Sequence, residues 1–140
     1  MAHFAQIGMD NIVLRVDVVR DEDILDGNGN ESEEIGIKHQ KSVYGQQTNW
    51  LQTSYNNNFR CRYAGVGMIY NNQYDVFLNP RPYPSWILNT ETYEWDPPVP
   101  EPELSAEDTE LGNHYEWDEN TQKWVIVEPL QQDLWYNQPV

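Results

Sequence analysis

The strongest candidate for metal chemistry in this 140-residue sequence is an acidic loop that begins at Asp26. Asp26, Asn28 and Asn30 occupy the first, third and fifth positions of a calcium-binding loop, where oxygen ligands are required. The pattern then fails, because Glu31 stands where that loop needs glycine and Ile37 where it needs a bidentate glutamate. We therefore predict a solvated acidic turn, with no metal site and no cofactor.

Nucleophilic catalysis has no recognisable motif in the sequence. There is no G-x-S-x-G, and the GVG at 65–67 leads into a strand-like MIY where a phosphate loop needs a helix. Cys61 lies between two arginines that could lower the pKa of its thiol, but such a cysteine is more often a strand residue whose neighbours point away. His3, His39 and His114 lack metal-ligand spacing. We predict that the chain is not an enzyme.

The net charge narrows the choice of partners. With 23 acidic and 8 basic residues the chain carries −15, a field that repels nucleic-acid phosphates and anionic lipid and favours a basic protein face. No apolar run approaches the ~18 residues of a membrane span. The opening MAHFAQIGMD lacks the basic and apolar regions of a signal peptide. We expect a soluble protein that is intracellular when made and has no nucleic-acid or membrane partner.

Aromatic side chains are the best candidates for binding. Aromatics reach 13% of the residues, while all apolar residues together make up 39%, below the usual ~45–50%. Protein interfaces are enriched in Tyr and Trp, which favours a protein-binding role. Exposed rings beside polar turns could also stack on sugars, so a glycan-binding module is an alternative to that role. The glycan hypothesis is tested by Trp→Ala at Trp117 or Trp124. The residues predicted to contact a partner protein are Trp95, Trp117, Trp124, Trp135, Tyr136, Arg60, Arg62 and Arg81.

A change in charge marks a boundary along the chain. Residues 1–90 hold ten acidic and seven basic residues, a net of −3, whereas residues 91–140 hold thirteen acidic residues and one lysine, a net of −12. The shift coincides with a run containing four of the nine prolines, which predicts an extended, semi-rigid linker. The predicted parts are a core domain at 1–95, the acidic linker at 96–113, an aromatic hairpin at 114–128 and an extended tail at 129–140.

The patterns favour an α+β fold that is mostly antiparallel, with hairpins and one helix. Runs at 3–7 and 11–19 predict two paired strands, the second with its apolar face formed by Ile12, Leu14, Val16 and Val18. A helix is predicted at 31–44. Asn30 with Glu33 resembles its capping box, and Gly45 suits its C-terminal end.

Later segments predict a strand at 50–56 and a repeated aromatic hairpin. The hairpins lie at 67–77, turning at Asn71–Asn72, at 86–95, turning through Asn89–Thr92, and at 114–127, turning through Glu119–Gln122. Because a lone hairpin is marginal in water, the last one needs a surface to dock on, either in its own chain or on a neighbouring subunit.

Five segments together resemble a family of small proteins encoded by phages of marine cyanobacteria and other marine bacteria. They are MAHFAQI, NWLQTSYNNNFR at 49–60, YAGVGMIYNNQYDVF at 63–77, PRPYPSWILNTETYEWDPPVP at 80–100 and YEWDENTQKWV at 115–125. The likeness covers most of residues 1–128 and is most specific in PYPSW and the hairpin after it. The family carries no established activity and no catalytic residues. The resemblance implies a phage origin and a place in the virion.

On this basis we expect a non-catalytic structural protein of a tailed-phage virion, either a capsid-decoration protein or a neck or tail accessory. The expected partners are major capsid, neck or tail subunits, bound by several copies per particle after synthesis in the host bacterial cytoplasm. Two alternatives stay open. One is a glycan-binding receptor or adhesion module, and the other is a regulatory protein of the infected cell that never enters the particle.

Overall fold

A computed structural model describes residues 1–129 of the protein, within which nine mostly antiparallel strands and two helices form. This confirms the predicted α+β class and its hairpin-rich, antiparallel character. The described residues form two units, the first comprising residues 1–80 and 89–94 and the second residues 81–88 and 95 onward. The boundaries predicted for core, linker and C-terminal hairpin stay a prediction.

The first unit is built on a three-stranded antiparallel sheet. Its strands are β1 (Ala2–Ile7), β2 (Val13–Val19) and β3 (Asn49–Thr53), in the order β2-β1-β3. Ala2, Phe4, Ala5 and Ile7 are all buried although successive strand residues point to opposite faces. The central strand is therefore covered on both sides, which explains its nearly continuous apolar sequence.

Two apolar clusters cover the two faces of this sheet. On one face, Ile37 of helix α1 (Glu33–Tyr44) packs against a buried cluster; on the other, residues of the segment 64–78 pack against a second cluster. The first cluster consists of Ala2, Phe4, Val19, Ile24 and Trp50. The second consists of Ala5, Ile7, Val13, Ala64 and Phe77. Long-range packing thus fixes the loop that follows β3.

Helix α1 is the predicted helix, but it begins two residues later than expected. Its N-cap is Ser32, whose hydroxyl oxygen accepts the backbone N–H of Ile35 at 3.3 Å, so the predicted capping by Asn30 is wrong. Gly45 ends the helix as predicted, with a φ of 118° that favours glycine. The buried residues of the helix are Gly36 and Gln40, which lets its backbone lie close to the sheet.

The predicted apolar face of the second strand holds at Val16, which packs partly buried against the second cluster, and is wrong at the other three positions. Val13 and Val19 are its buried residues, whereas Leu14 and Val18 are exposed. A register shift at the end of β1 pairs Ile7 with Val13, which places an odd-numbered residue of β2 in the core.

Three hairpins share one turn geometry. They join β4 (Ile69–Asn71) to β5 (Val76–Leu78), β6 (Ile87–Asn89) to β7 (Glu94–Asp96), and β8 (His114–Asp118) to β9 (Lys123–Val127). Each loop has four residues and ends on one with positive φ, namely Asp75, Tyr93 and Gln122. This confirms the repeat and the turn at 119–122. The turn predicted at Asn71–Asn72 is wrong, because Asn71 still belongs to its strand and the loop is 72–75. The turn predicted through Asn89–Thr92 is displaced by one residue, because Asn89 ends β6 and the loop is 90–93.

An Asx residue stabilises the start of each of these turns. Asn71, Asn89 and Asp118 are the last residues before the loops, and the side-chain oxygen of each accepts a backbone N–H two or three residues on, at 2.9–3.2 Å. The same local chemistry therefore recurs in all three hairpins.

The Pro-rich segment is not extended throughout. A five-residue helix, α2 (Ala106–Glu110), lies within it, and Ser105 caps this helix by accepting the N–H of Asp108 at 3.1 Å. The prediction of a non-helical linker is wrong at these residues. Across residues 1–129, neither helix has the length and apolar character needed to cross a lipid bilayer.

Candidate interaction surface

Arg60, a predicted contact residue, is held by three parts of the first unit. Its guanidinium pairs with Glu33 of α1, donates to the carbonyl of Gln52 at 2.8 Å and pairs with Asp75 at 2.8 Å. Burial alone would lower the pKa of Arg60, but the hydrogen bonds that it donates to Glu33 and Asp75 outweigh this effect and raise that pKa. Arg60 thus connects helix, sheet and hairpin within the fold.

Arg62 is engaged in a similar way, and its neighbour Cys61 is not a strand residue. The Nη2 of Arg62 donates to the carbonyl of Tyr93 at 2.7 Å and pairs with Glu94 at 3.1 Å. Cys61 lies in a loop with a φ of 69°, so the expectation that it occupies a strand is wrong. Both arginines therefore pair with acids and backbone carbonyls of the first unit.

The acidic loop at Asp26 closes on itself. The Oδ1 of Asp26 accepts the backbone N–H groups of Asn28 at 2.8 Å and Asn30 at 2.9 Å. No cluster of three His, Cys, Asp or Glu side chains with the spacing of a metal site occurs in residues 1–129.

In the second unit, two of the predicted contact residues, Arg81 and Trp95, lie against each other. Its Nε and Nη2 donate to the carbonyl of Trp86 at 2.9 and 2.6 Å, and its guanidinium lies 5.1 Å from the centre of the Trp95 ring. This arrangement fixes the chain on both sides of the β6–β7 hairpin.

Three indoles form the centre of the second unit. Trp117 and Trp124 are directly opposite on β8 and β9, with ring centres 5.2 Å apart, and Trp86 lies 6.2 and 6.1 Å from them. Edge-to-face contacts at these distances are favourable for aromatic rings. The carboxylate of Glu119 accepts both the indole N–H of Trp117 at 3.0 Å and the hydroxyl of Ser85 at 2.9 Å.

No family model, curated protein or solved structure matches this chain.

The proline segment lies against this indole cluster. The indole N–H of Trp124 donates to the carbonyl of Val99 at 2.7 Å. A groove of about 450 Å³ runs beside it, lined by Trp86, Asp96, Pro97, Pro100, Glu101 and Trp124. The C-terminal hairpin therefore docks on residues of its own chain, one of the two possibilities left open by the sequence.

Exposed apolar side chains outnumber buried ones among the described residues of the second unit. Among the described residues of the second unit, Trp117 is the one buried apolar side chain, at 7% exposure. Six large apolar side chains are exposed there: Tyr83, Ile87, Val99, Leu111, Val125 and Ile126. The same unit has ten acidic and two basic residues, a net of −8 over residues 81–88 and 95–129. The second unit therefore exposes more large apolar side chains than it buries, and it does so in a strongly acidic setting.

Of the predicted contact residues, Trp95, Trp117, Trp124 and Arg81 lie in the second unit, whereas Arg60 and Arg62 lie in the first. Trp135 and Tyr136 lie outside the described residues. Sequence reasoning missed Trp86, although it stands in the specific PYPSW run. The sequence feature that could have identified Trp86 is that Ser85 and Trp86 precede Trp117 and Trp124 in the same unit. Long-range packing brings the three indoles together.

Proposed function

We propose that this chain is a non-catalytic structural protein of a tailed-phage virion, which binds neighbouring virion subunits through its second unit. The phage origin is supported by the resemblance of five segments to small marine-phage proteins. The binding role is supported by the excess of exposed over buried apolar side chains in that unit, and this is the observation on which the proposal depends.

Packing energetics explain why this excess favours a partner. Burial of apolar surface contributes about 25 cal/mol per Å², and a two-stranded hairpin alone buries too little to be stable in water. The first unit contains twelve of the thirteen buried apolar residues found in residues 1–129, so the second unit relies on its three indoles. A partner that covers Ile126, which points to the same face as Trp124, would extend this small core across the chain boundary, and contact with Val125 would bury apolar surface on the opposite face.

The charge of the second unit defines the chemistry of that partner. A net charge of −8 repels acidic surfaces and accelerates association with basic ones. We therefore infer that the partner face is basic and carries an apolar patch. Many copies on a symmetric particle would let each contact be modest, because linked sites raise the overall affinity.

Two measurements test this function. The first is mass spectrometry of purified virions, in which a structural protein is expected among the particle proteins. Absence of the chain from the particle contradicts the proposal and favours a regulatory role in the infected cell.

The second measurement is cosedimentation of the purified chain with particles that lack it. Val125→Asp is expected to weaken binding by about tenfold or more, because it places an unpaired charge in the apolar contact. Val66→Asp is the matched control, since Val66 is 75% exposed in the first unit and should leave binding unchanged.

Salt provides an independent check of the charge argument. Raising the salt concentration from 0.1 to 1 M shortens the Debye length from about 10 to about 3 Å and should weaken binding. Equal effects of the two substitutions would contradict docking through the second unit. Binding that is insensitive to salt would contradict the inferred basic partner.

A further inference from the structure

A stretch without charge stands out in this strongly acidic chain. Between Gln46 and Phe59 there is no Asp, Glu, Lys or Arg, although the whole sequence has 23 acidic and 8 basic residues. Amide and hydroxyl side chains predominate in the stretch. The stretch includes β3 and the loop after it, SYNNNF, which the proposed docking role of the second unit does not use.

Three rings meet beside this loop. The Tyr55 ring stacks on His3, with centres 5.6 Å apart and planes 26° apart, and Tyr63 contacts both edge-on at 5.2 and 5.4 Å. Tyr55 is nevertheless 66% exposed. His3 thus supports a tyrosine ring that presents aromatic surface to solvent.

Hydrogen bonds fix the loop that carries these rings. The Ser54 hydroxyl accepts the N–H of Asn58 at 2.9 Å, and the Asn57 side chain accepts the N–H of Tyr63 at 2.7 Å. At the base of the loop, the buried Thr53 hydroxyl accepts the N–H of Ala64 at 2.8 Å. Such a loop needs little further ordering when it binds a ligand, which lowers the cost of binding.

The rings border a polar groove of about 410 Å³. Its lining includes Tyr55, Asn56, Asn58 and Phe59. The side chains of Asn56 and Asn58 form no hydrogen bond with any residue in 1–129, so each can offer two donors and an acceptor to a ligand. The one charged side chain in the lining is Glu31, which already accepts the side-chain N–H of Gln52 at 2.6 Å.

We propose that this groove binds a neutral saccharide. A pyranose presents a C–H face that packs on an aromatic ring, whose own face is electron-rich, and hydroxyls that pair with carboxamides. The size of the groove matches small-ligand sites, which measure about 300–1,000 Å³. The site is independent of the proposed virion function, since it uses the first unit.

Charge distinguishes a neutral sugar from a phosphorylated ligand. Nucleobases also stack on tyrosine and pair with carboxamides, but a nucleotide needs cations for its phosphate. The nearby cations are Arg60, Arg62 and the amino terminus of Met1. The two arginines are paired with Glu33, Asp75 and Glu94, and the amino terminus is paired with Asp21 at 2.7 Å. In a chain of −15, an anionic ligand would be repelled.

The proposed saccharide site differs from the one expected from the sequence, which was the pair of tryptophans Trp117 and Trp124. Trp117 is buried and its indole N–H pairs with Glu119, while the N–H of Trp124 pairs with Val99. Both indoles contribute to the centre of the second unit. Tyr55 has the exposed face that a sugar requires.

The test uses the full chain, biotinylated and displayed on streptavidin so that several weak sites act together. It is applied to an array of neutral hexose and N-acetylhexosamine oligosaccharides, with sialylated, sulfated and phosphorylated glycans and nucleosides on the same slide. Retention on neutral oligosaccharides is expected. Tyr55→Ala should reduce it at least about tenfold, and Tyr55→Phe, which keeps the ring face, should change it less than about threefold.

Tyr83→Ala is the matched control, because Tyr83 is an exposed tyrosine of the second unit, and it should leave retention unchanged. A circular dichroism spectrum that matches the parent protein shows that Tyr55→Ala still folds. Retention on no neutral oligosaccharide, retention confined to charged glycans or nucleosides, or equal retention by Tyr55→Ala would overturn the proposal.

Discussion

Gly36 in helix α1 faces a fully buried ring, so replacing it with alanine tests how closely helix and sheet pack. A Cβ atom at this position would lie 2.1 Å from Cζ of Phe4 and 2.8 and 2.9 Å from two further ring carbons. Favourable carbon contacts lie at about 3.5–4.0 Å. Phe4 has no exposed surface, so the ring can yield only by moving within the core.

The expected loss of stability follows from two opposing terms. Gly→Ala inside a helix normally stabilises by about 0.5–1 kcal/mol. Overpacking a core costs about 1–3 kcal/mol. The added Cβ would lie more than 1 Å closer to the Phe4 ring than a favourable carbon contact, so the cost should be at the upper end of that range. We expect Gly36→Ala to lower the free energy of unfolding by about 1–2 kcal/mol, which for a unit of this size corresponds to a Tm lower by roughly 5–15 °C.

Urea denaturation followed by circular dichroism measures this loss. Gly27→Ala is the control, because its added Cβ has no neighbour within 4 Å and should not destabilise. The double substitution Phe4→Leu with Gly36→Ala should lose less stability than the sum of the two single changes, since the smaller side chain makes room for the methyl group. A Gly36→Ala protein as stable as the parent would refute the packing described for helix and sheet.

Three further predictions concern single side chains. Arg60→Ala should destabilise the fold by about 1–3 kcal/mol in urea denaturation, because the partly buried Glu33 carboxylate and Gln52 carbonyl lose their donor; unchanged stability would instead favour a role in partner binding. Trp124→Phe removes the hydrogen bond to Val99 and should cost about 1 kcal/mol while making the proline segment more sensitive to protease, and equal cleavage rates would speak against that contact. Burial, followed by repulsion from the amino terminus, lowers the pKa of His3, so its NMR titration midpoint should lie below the usual value of about 6.5 and rise in Tyr55→Ala. Because the folded pKa is the lower one, the stability contributed by neutral His3 should be complete above about pH 6.5 and be lost as the pH falls through the folded value; a midpoint at or above 6.5 would contradict the burial of this ring.

The hairpins show how much of this fold local chemistry specifies. The turn at 119–122 was predicted from the repeated hairpin pattern with an aromatic residue on each arm, and it is confirmed. The same pattern, with an Asx residue followed by four loop residues, would have placed the loop after Asn71 correctly at 72–75. The Asn71–Asn72 dipeptide taken alone favours a two-residue turn, and only comparison with the other two hairpins indicates a four-residue loop.

The second strand shows where local patterns are insufficient. Alternation predicted that Ile12, Leu14, Val16 and Val18 form its buried face. A register shift against β1 brings Val13 into the core instead. A bulge of this kind depends on the pairing partner, so the sequence of one strand does not reveal it.

The candidate site was predicted in part for the same reason. Tryptophans of the C-terminal hairpin were identified from composition and turn spacing, and they are indeed brought together. Arg60 was expected to contact a partner, but its acidic partners are 27 and 15 residues away in sequence, at Glu33 and Asp75. Only tertiary packing determines whether such a charge serves the fold or the surface.

The pairing of β8 and β9 suggests how a partner would contact the second unit. Among residues 1–129 these strands pair with each other alone, which leaves the outer edge of each strand able to accept another strand. Because the aromatic face already holds the chain's own proline segment through Val99 and Trp124, the proposed partner would meet the strand edges and the exposed Val125 and Ile126. Main-chain pairing and these aliphatic side chains would then supply most of the affinity, while the surrounding acids govern the rate and orientation of association. Mutation of an exposed acid should therefore change mainly the association rate, whereas Val125→Asp should change mainly the dissociation rate.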